Sequence, residues 1–445
     1  MPSTAPSTTA VQSTALLTDR YELTMLEAAL RSGAARRRCV FEVFSRRLTG
    51  GRRYGVVAGT GRFLDALEQF SFGSGELDWL ADNDVVDDDT LSWLRDYRFS
   101  GDIDGYAEGD FFFPGSPILT VESTFAEAVL LETLALSVLN HDCAIASAAA
   151  RMTSAAADRP CLEMGSRRTH EESAVAAARA AYIVGFASTS NLEAGRRFAI
   201  PTTGTSAHAF TLIHDDERAA FAAQVAALGA STTLLVDTYD VAEAVRSAVE
   251  IAGPELGAVR IDSGDLVGLA REVRRQLDNL GATKTRIVVT SDLDEHAIAT
   301  LASAPVDGYG VGTSVVTGSG QPTASLVYKL VARADGDHLR AVTKASPGKI
   351  GHGGRKHAVR RHGPDGVAVA EVIAAGAAAD TFEPAEGDRP LLVPLVRGGD
   401  VVGREPLETA RSRHSELRAQ LPAEALRLQP GGPAIETVFI EEVGR

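Results

Sequence analysis

Seven stretches of this chain place hydroxyl, carboxylate or guanidinium side chains directly after a short apolar run. Gly165-Ser166-Arg167-Arg168 follows Cys161 to Met164, and Ser188-Thr189-Ser190-Asn191 follows Tyr182 to Phe186. Thr202 to His208 follows Phe198 to Pro201, and Asp237-Thr238-Tyr239-Asp240 follows Thr233 to Val236. Asp262-Ser263-Gly264-Asp265 follows Ala258 to Ile261, Thr290 to Asp294 follows Arg286 to Val289, and Gly312-Thr313-Ser314 follows Gly308 to Val311. These residue types suit a phosphorylated, hydroxylated substrate. Arginine forks hold phosphate or carboxylate. Carboxylates hold ribose hydroxyls or a magnesium ion, and glycine amides at a strand-to-helix turn hold phosphate. Each residue also has a plainer use, since an Asp or Thr after a strand commonly caps the next helix. Capping alone does not call for Arg167 and Arg260.

Such ends must be positioned by the runs themselves. Recurrent apolar runs, each followed by a helical stretch, predict parallel strands with crossover helices. An irregular (β/α) barrel is the expected closure, with chemistry at the C-terminal strand ends. An open doubly wound sheet is the competitor, but no phosphate-binding glycine turn follows the first strand. The fold class is thus α/β, with the barrel over residues 123–330. Before it, a helix pattern (Tyr21 to Leu30) and the alternating Cys39 to Phe44 predict a second, α+β domain. After it come strand-like fragments and a helix, Leu407 to Leu421. Residues 14–122 and 331–445 are expected to form that domain together, and 1–13, rich in Ser, Thr, Ala and Pro, to be a frayed tail.

The 445 residues are 44% apolar, 23% charged and only 6% aromatic, so small aliphatic side chains must fill the interior. A formal charge of −15 repels nucleic acid and anionic membranes, so positive charge for an anionic substrate must be concentrated in a pocket. The three cysteines, Cys39, Cys143 and Cys161, form no CxxC and fit buried thiols in a reducing, cytoplasmic setting. The most apolar window, Phe125 to Leu139, contains Glu127 and Glu132 and predicts a core helix, not a membrane span. Asp82 to Asp89 lacks the central Gly and terminal Glu of a calcium loop and predicts a solvated acidic surface. Ile213-His214-Asp215-Asp216 lacks a following phosphate loop and predicts a helix start.

Leu17-Thr18-Asp19-Arg20-Tyr21, Gly165-Ser166-Arg167-Arg168, Gly204-Thr205-Ser206-Ala207-His208, Val236-Asp237-Thr238-Tyr239-Asp240, Arg260 to Asp265 and Gly310 to Ser314 occur in that order. Together they resemble the nicotinate phosphoribosyltransferase family. The resemblance spans Leu16 to Lys356. It implies transfer of phosphoribosyl from 5-phosphoribosyl 1-pyrophosphate to nicotinate, coupled to ATP as co-substrate, with Mg2+. It also implies a homodimer with shared active sites. By the same resemblance His208 is the histidine that ATP phosphorylates, Asp237 orients its imidazole, and Asp262 holds ribose hydroxyls. Arg260 and Thr205 contact nicotinate, Arg167 faces the substrates, and Gly312 and Thr313 cradle the 5′-phosphate. Tyr21 stacks on the pyridine ring from the partner subunit. The basic run Lys344 to Lys356 resembles a phosphate-facing loop. No side chain is assigned as a resident metal ligand. The position before Gly165 is often Phe in the family and is Met164 here, whose thioether can pack on the ring.

No Gly-x4-Gly-Lys-Ser/Thr loop exists, so ATP must share the phosphoribosyl pocket. Nicotinamide-specific relatives carry an acid where ungapped alignment places Asn191. An acid there accepts an amide and repels a carboxylate, so its absence favours nicotinate. A nicotinamide enzyme, or a non-catalytic relative, is the alternative.

Overall fold

The computed structural model describes residues 13–344 and 351–440. Its centre is a six-stranded parallel sheet made of β1 (Cys161–Glu163), β2 (Ser188–Thr189), β3 (Thr233–Leu235), β4 (Ala258–Ile261), β5 (Arg286–Val289) and β6 (Gly308–Val311). The spatial order is β2-β1-β6-β5-β4-β3, and every pairing is parallel. One isolated bridge, Thr189 to Thr202, extends the β2 edge. Helices cover the crossovers. Val241–Ala252 buries Ala244, Val245, Ala248 and Val249, the stripe a helical period of 3.6 aims at a sheet.

Two of the seven expected strands are absent. Tyr182 and Ile183 finish the helix Glu171–Ile183, and Phe198 finishes Leu192–Phe198. From Ala174 to Ile183 every side chain is buried, so the run carries no amphipathic period by which to recognise a helix. The β2 strand lies instead at Ser188–Thr189, within the segment expected to be a strand end.

A seven-stranded antiparallel sheet draws on both ends of the chain. Its order is His338–Ala341, Leu326–Asp335, Arg38–Ser45, Leu119–Thr124, Asp102–Tyr106, Leu392–Arg397 and Asp400–Val401. The expected N-terminal helix spans Arg20–Ser32. The long helix Glu132–Ala156 joins the two hydrophobic cores: Leu134 to Ala144 pack with the antiparallel sheet, Ile145 to Ala156 with the parallel one. The C-terminal helix Leu407–Arg418 places Ala410 and Leu417 in the core of the parallel sheet, not in that of the N-terminal region. Asp216 caps the helix Glu217–Leu228, as the helix-start reading expected, and in the acidic run Asp82, Asp84, Asp88 and Asp89 are exposed while Asp87 caps Asp88–Arg95. All three cysteines are free and buried, and burial pushes the Cys39 and Cys161 thiols up to about 12. No helix among the described residues is long and apolar enough to cross a membrane.

A third, four-stranded sheet (Arg389–Pro390, Lys356–His362, Ala368–Ala375, Glu436–Ile440) docks through buried charge. Arg360 donates to Glu371 Oε2 at 2.8 Å and to the Phe111 carbonyl at 2.9 Å. Glu371 also accepts the hydroxyls of Tyr106, at 2.7 Å, and Ser116. Burial raises the Glu371 pKa, and Arg360 opposes that rise. Removing the cation strands a buried carboxylate. Arg360→Ala should lower unfolding free energy by about 3–5 kcal/mol, read from urea midpoints, whereas a loss below about 1 kcal/mol would contradict this view of the docking.

Candidate functional site

The polar ends gather at one edge of the parallel sheet around a cleft of about 220 Å³. Met164, Arg167, Arg168, Arg260, Asp262, Thr290 to Asp292, Gly310, Gly312 and Thr313 line it. The structure separates caps from working groups. Asp240, Asp265 and Asp294 each accept an N–H in the first turn of the following helix. Asp237 and Asp262 cap nothing and face the cluster that includes His208.

Arg260 is the hub. Its Nε donates to Thr290 Oγ1 at 2.9 Å, and one terminal nitrogen donates to Thr205 Oγ1 at 2.9 Å and to the Ser206 carbonyl at 3.2 Å. The other lies 3.3 Å from Asp262 Oδ2. Thr290 in turn donates its hydroxyl proton to Asp262 Oδ1. Only 13% of the Arg260 side chain is exposed, so its orientation is fixed by neighbours and not by solvent. Burial pushes the Asp262 pKa up, but the Thr290 hydroxyl and Arg260 outweigh it and hold the carboxyl below its ordinary value. Asp262 is therefore a charged acceptor at neutral pH. Arg167 and Arg168 are exposed and line the cleft, and their side chains make no hydrogen bond or ion pair among the described residues. An anion would find two unengaged guanidinium forks there.

His208 opens the helix His208–Leu212, and 42% of its side chain is exposed. Its Nδ1 lies 3.1 Å from Thr238 Oγ1. Its Nε2 lies 4.0 Å from both Asp237 Oδ1 and Asp262 Oδ2, beyond hydrogen-bond length. The expected Asp237–imidazole hydrogen bond is thus not formed in this state. Asp237 Oδ2 accepts the Asp262 N–H at 2.9 Å and the Ser263 hydroxyl at 2.8 Å. Its other oxygen, Oδ1, is buried without a partner. A buried lone acceptor is costly, and the nearest imidazole nitrogen is the group placed to relieve it.

Two glycines are required by close approach. A Cβ on Gly310 would lie 2.8 Å from Met164 Sδ and 2.5 Å from a Thr290 methyl. A Cβ on Gly165 would lie 2.1 Å from Val316. Met164 therefore occupies the cleft wall, where ring packing was expected. Behind it, Glu163 is wholly buried, accepts the Gly165 N–H and the Thr189 hydroxyl, and has its pKa raised by burial.

Of the residues singled out from sequence, Arg167, Thr205, His208, Asp237, Arg260, Asp262, Gly312 and Thr313 come together. Asn191 does not line the cleft. It caps the helix Leu192–Phe198 and donates to Ser166 Oγ at 3.0 Å, because its side chain sits where that helix needs an acceptor. Tyr21 also lies away from the cleft, 44% exposed on the first helix. Partial burial, then the nearby carboxylates Glu132, Glu22 and Asp19, push its pKa up to about 12. In the basic run, 345–350 fall outside the described residues. Lys356 does not face a phosphate site, because it is buried in an ion pair of 2.6 Å with Glu42. Sequence reasoning gave no role to Thr290, Arg168, Thr238 or Glu163. A second arginine after Arg167 was the one visible signal.

A parallel α/β sheet carrying clustered guanidinium groups, acceptor carboxylates and an accessible histidine at one edge defines an enzyme site for a phosphorylated, hydroxylated substrate. Comparison with known proteins narrows the class. Residues 16–140 match the family model of the nicotinate phosphoribosyltransferase N-terminal domain, and 160–362 match that of the nicotinate phosphoribosyltransferase family. The chain belongs to that family. It is 59% identical to nicotinate phosphoribosyltransferase pncB1 of Mycobacterium tuberculosis (strain CDC 1551 / Oshkosh) over 431 residues, covering 95% of this chain and 94% of that one. It is 39% identical to the Bacillus subtilis nicotinate phosphoribosyltransferase over 360 residues, covering 78% and 73%. The crystal structure of human nicotinic acid phosphoribosyltransferase superposes with a TM-score of 0.81 at 26% identity, covering 95% of this chain and 97% of that one.

Proposed function

We propose that the protein transfers phosphoribosyl from 5-phosphoribosyl 1-pyrophosphate to nicotinate, giving nicotinate mononucleotide and pyrophosphate, with ATP hydrolysis coupled through His208. The observation that carries this reading is Arg260, held by Thr205, Thr290 and Asp262 at a cleft whose other two arginines are unengaged. Nicotinate presents a carboxylate for Arg260. Its pyridine nitrogen attacks C1 of the ribose as the C1–O bond to pyrophosphate breaks. Asp262 accepts from ribose hydroxyls, and Arg167, with the turn at Gly312 and Thr313, holds phosphate.

Among the described residues no group of three or more His, Cys, Asp or Glu side chains is arranged to hold a metal. Mg2+ bound with the diphosphate substrate would suit an ion commonly held by one or two carboxylates plus phosphate oxygens. It would supply neutralisation of charge on the leaving group, and Asp262 is the protein carboxylate that would hold it. In the ATP half-reaction the γ-phosphoryl passes to a ring nitrogen of His208 and ADP departs. Asp237 Oδ1 is the acceptor available for the N–H on the other nitrogen, which would fix the tautomer.

The fold reading goes further than the hydrogen-bonded sheet. Closure into an irregular barrel is supported by chain reach. In a flat sheet Thr202 would stand five strand spacings, about 24 Å, from Arg260 on β4. Three further residues span only about 10 Å at full stretch, yet Thr205 bonds Arg260. The strands from both chain ends in the antiparallel sheet support one discontinuous domain from 14–122 and 331–445 beside a catalytic unit at 123–330.

A homodimer with shared sites is supported by two exposed apolar patches. Leu16, Leu17 and Tyr21 form one, and Phe210, Leu212 and Ile213, on and beside the His208 helix, form the other. In a twofold dimer each patch can cover the partner's, and Tyr21 then reaches the neighbour's cleft.

Protein incubated with γ-labelled ATP should acquire acid-labile, base-stable label. His208→Ala should lose both the label and the ATP stimulation while keeping ATP-independent transfer; retained label would exclude His208. For the shared site, Tyr21→Ala and His208→Ala subunits should be dissociated, mixed and reassociated. Each mixed dimer then has one site intact in both residues, so coupled activity should exceed that of either parent. No recovery, with mixed dimers shown to form, would place Tyr21 in its own subunit's packing.

A further inference from the structure

Glu163 has a place in the site that its burial hides. It lies on β1, fully shielded from water, and makes no ion pair among the described residues. A carboxylate buried without a cation is expensive, and it persists where donors satisfy it. Here each oxygen has one donor, and the two donors belong to different segments beside the cleft. Oε1 accepts the N–H of Gly165, which opens the turn carrying Arg167 and Arg168. Oε2 accepts the hydroxyl of Thr189 on β2.

Thr189 passes the constraint on. Its hydroxyl oxygen accepts the Asn191 N–H at 2.9 Å, and Asn191 returns to the arginine turn through Ser166. The Thr189 N–H donates to the Pro201 carbonyl at 3.0 Å, and its carbonyl accepts the Thr203 N–H at 2.9 Å. Two residues beyond Thr203 is Thr205, which bonds Arg260, and five beyond is His208. One carboxylate thus sets the arginine turn and the start of the histidine loop against each other. An aliphatic side chain of similar size could fill the same space but could not hold both segments.

We propose that Glu163 is a positioning residue for the transfer reaction, which fixes the Arg167–Arg168 turn relative to the Thr205–His208 loop so that substrate binding and ATP coupling share one geometry. The proposal rests on the function proposed above. Misplacing reacting groups by about 1 Å costs on the order of 100-fold in rate.

The test uses the full-length protein with Glu163→Ala, Glu163→Gln and Thr189→Val. It reads the KM for nicotinate, the kcat with and without ATP, and the melting temperature. Glu163→Ala should raise the nicotinate KM by about 10- to 100-fold and cut the stimulation by ATP by a similar factor. Glu163→Gln still offers an oxygen to Gly165 and an amide to Thr189, and should stay within about fivefold of wild type in both. Thr189→Val should cut ATP stimulation at least about tenfold. If Glu163→Ala does not fold, the other two variants decide. A lower melting temperature with wild-type KM and wild-type ATP stimulation in the variants would overturn the positioning role. The wild-type control separates this from failure of the parent reading: without ATP-stimulated transfer in the wild type, the proposed function fails and the role of Glu163 falls with it.

Discussion

Everything at the carboxyl edge of the parallel sheet is arranged about one guanidinium. Arg260 stands on β4, takes Thr290 from the end of β5, Thr205 from the loop beyond β2, and Asp262 from its own strand end. A planar fork with several donors can bind three such partners at once, which a lysine ammonium on a flexible stem would not hold in fixed geometry. The cost of taking that charge out of water is offset by these contacts. In return the loop bearing His208 is pinned to a strand far from it in the sheet. The assembly of the site therefore depends on that bond.

Charge explains why the cluster is built this way. The chain carries a net −15, so most of its surface repels a phosphorylated substrate. Arg167, Arg168 and Arg260 concentrate the opposite sign in one cleft, and the low exposure of Arg260 strengthens its share of the effect. Asp262 pairs with Arg260 and offsets part of its charge, which leaves Arg167 and Arg168 as the uncompensated cations of the cleft. Asp237 differs from it. One oxygen is satisfied and the other is kept bare and buried beside the imidazole.

Much of this was legible in the sequence where pattern and chemistry coincide. Four of the seven apolar runs became the strands β3 to β6, and Cys161 to Glu163 became β1, each followed by the polar end expected of it. The run at Tyr182 misled because an alanine-rich helix buried on every side has the same apolar signature as a buried strand, and the run at Phe198 is the end of the short helix Leu192–Phe198 with its left-handed cap at Ala199. Asn191, read from the sequence for specificity, also caps a helix, because a capping side chain and a specificity side chain occupy the same place after a strand. Lys356 lay in a basic run, and only the fold shows Glu42, which is 314 residues away in sequence, as its partner. Glu163 was invisible for a related reason: its importance lies in which two elements it joins.

The central claim is that Arg260, fixed by Thr205, Thr290 and Asp262, selects a carboxylate on the pyridine ring. The most direct measurement is competition between nicotinate and nicotinamide for 5-phosphoribosyl 1-pyrophosphate, in the wild type and in Arg260→Ala. Replacing a charge-assisted pair by a neutral amide costs about 2–4 kcal/mol, or about 30- to 1000-fold in kcat/KM. Wild-type protein should prefer nicotinate by a factor in that range, and Arg260→Ala should lose most of the preference by failing on nicotinate. Equal use of the two by the wild type, or an unchanged preference without Arg260, would contradict the account.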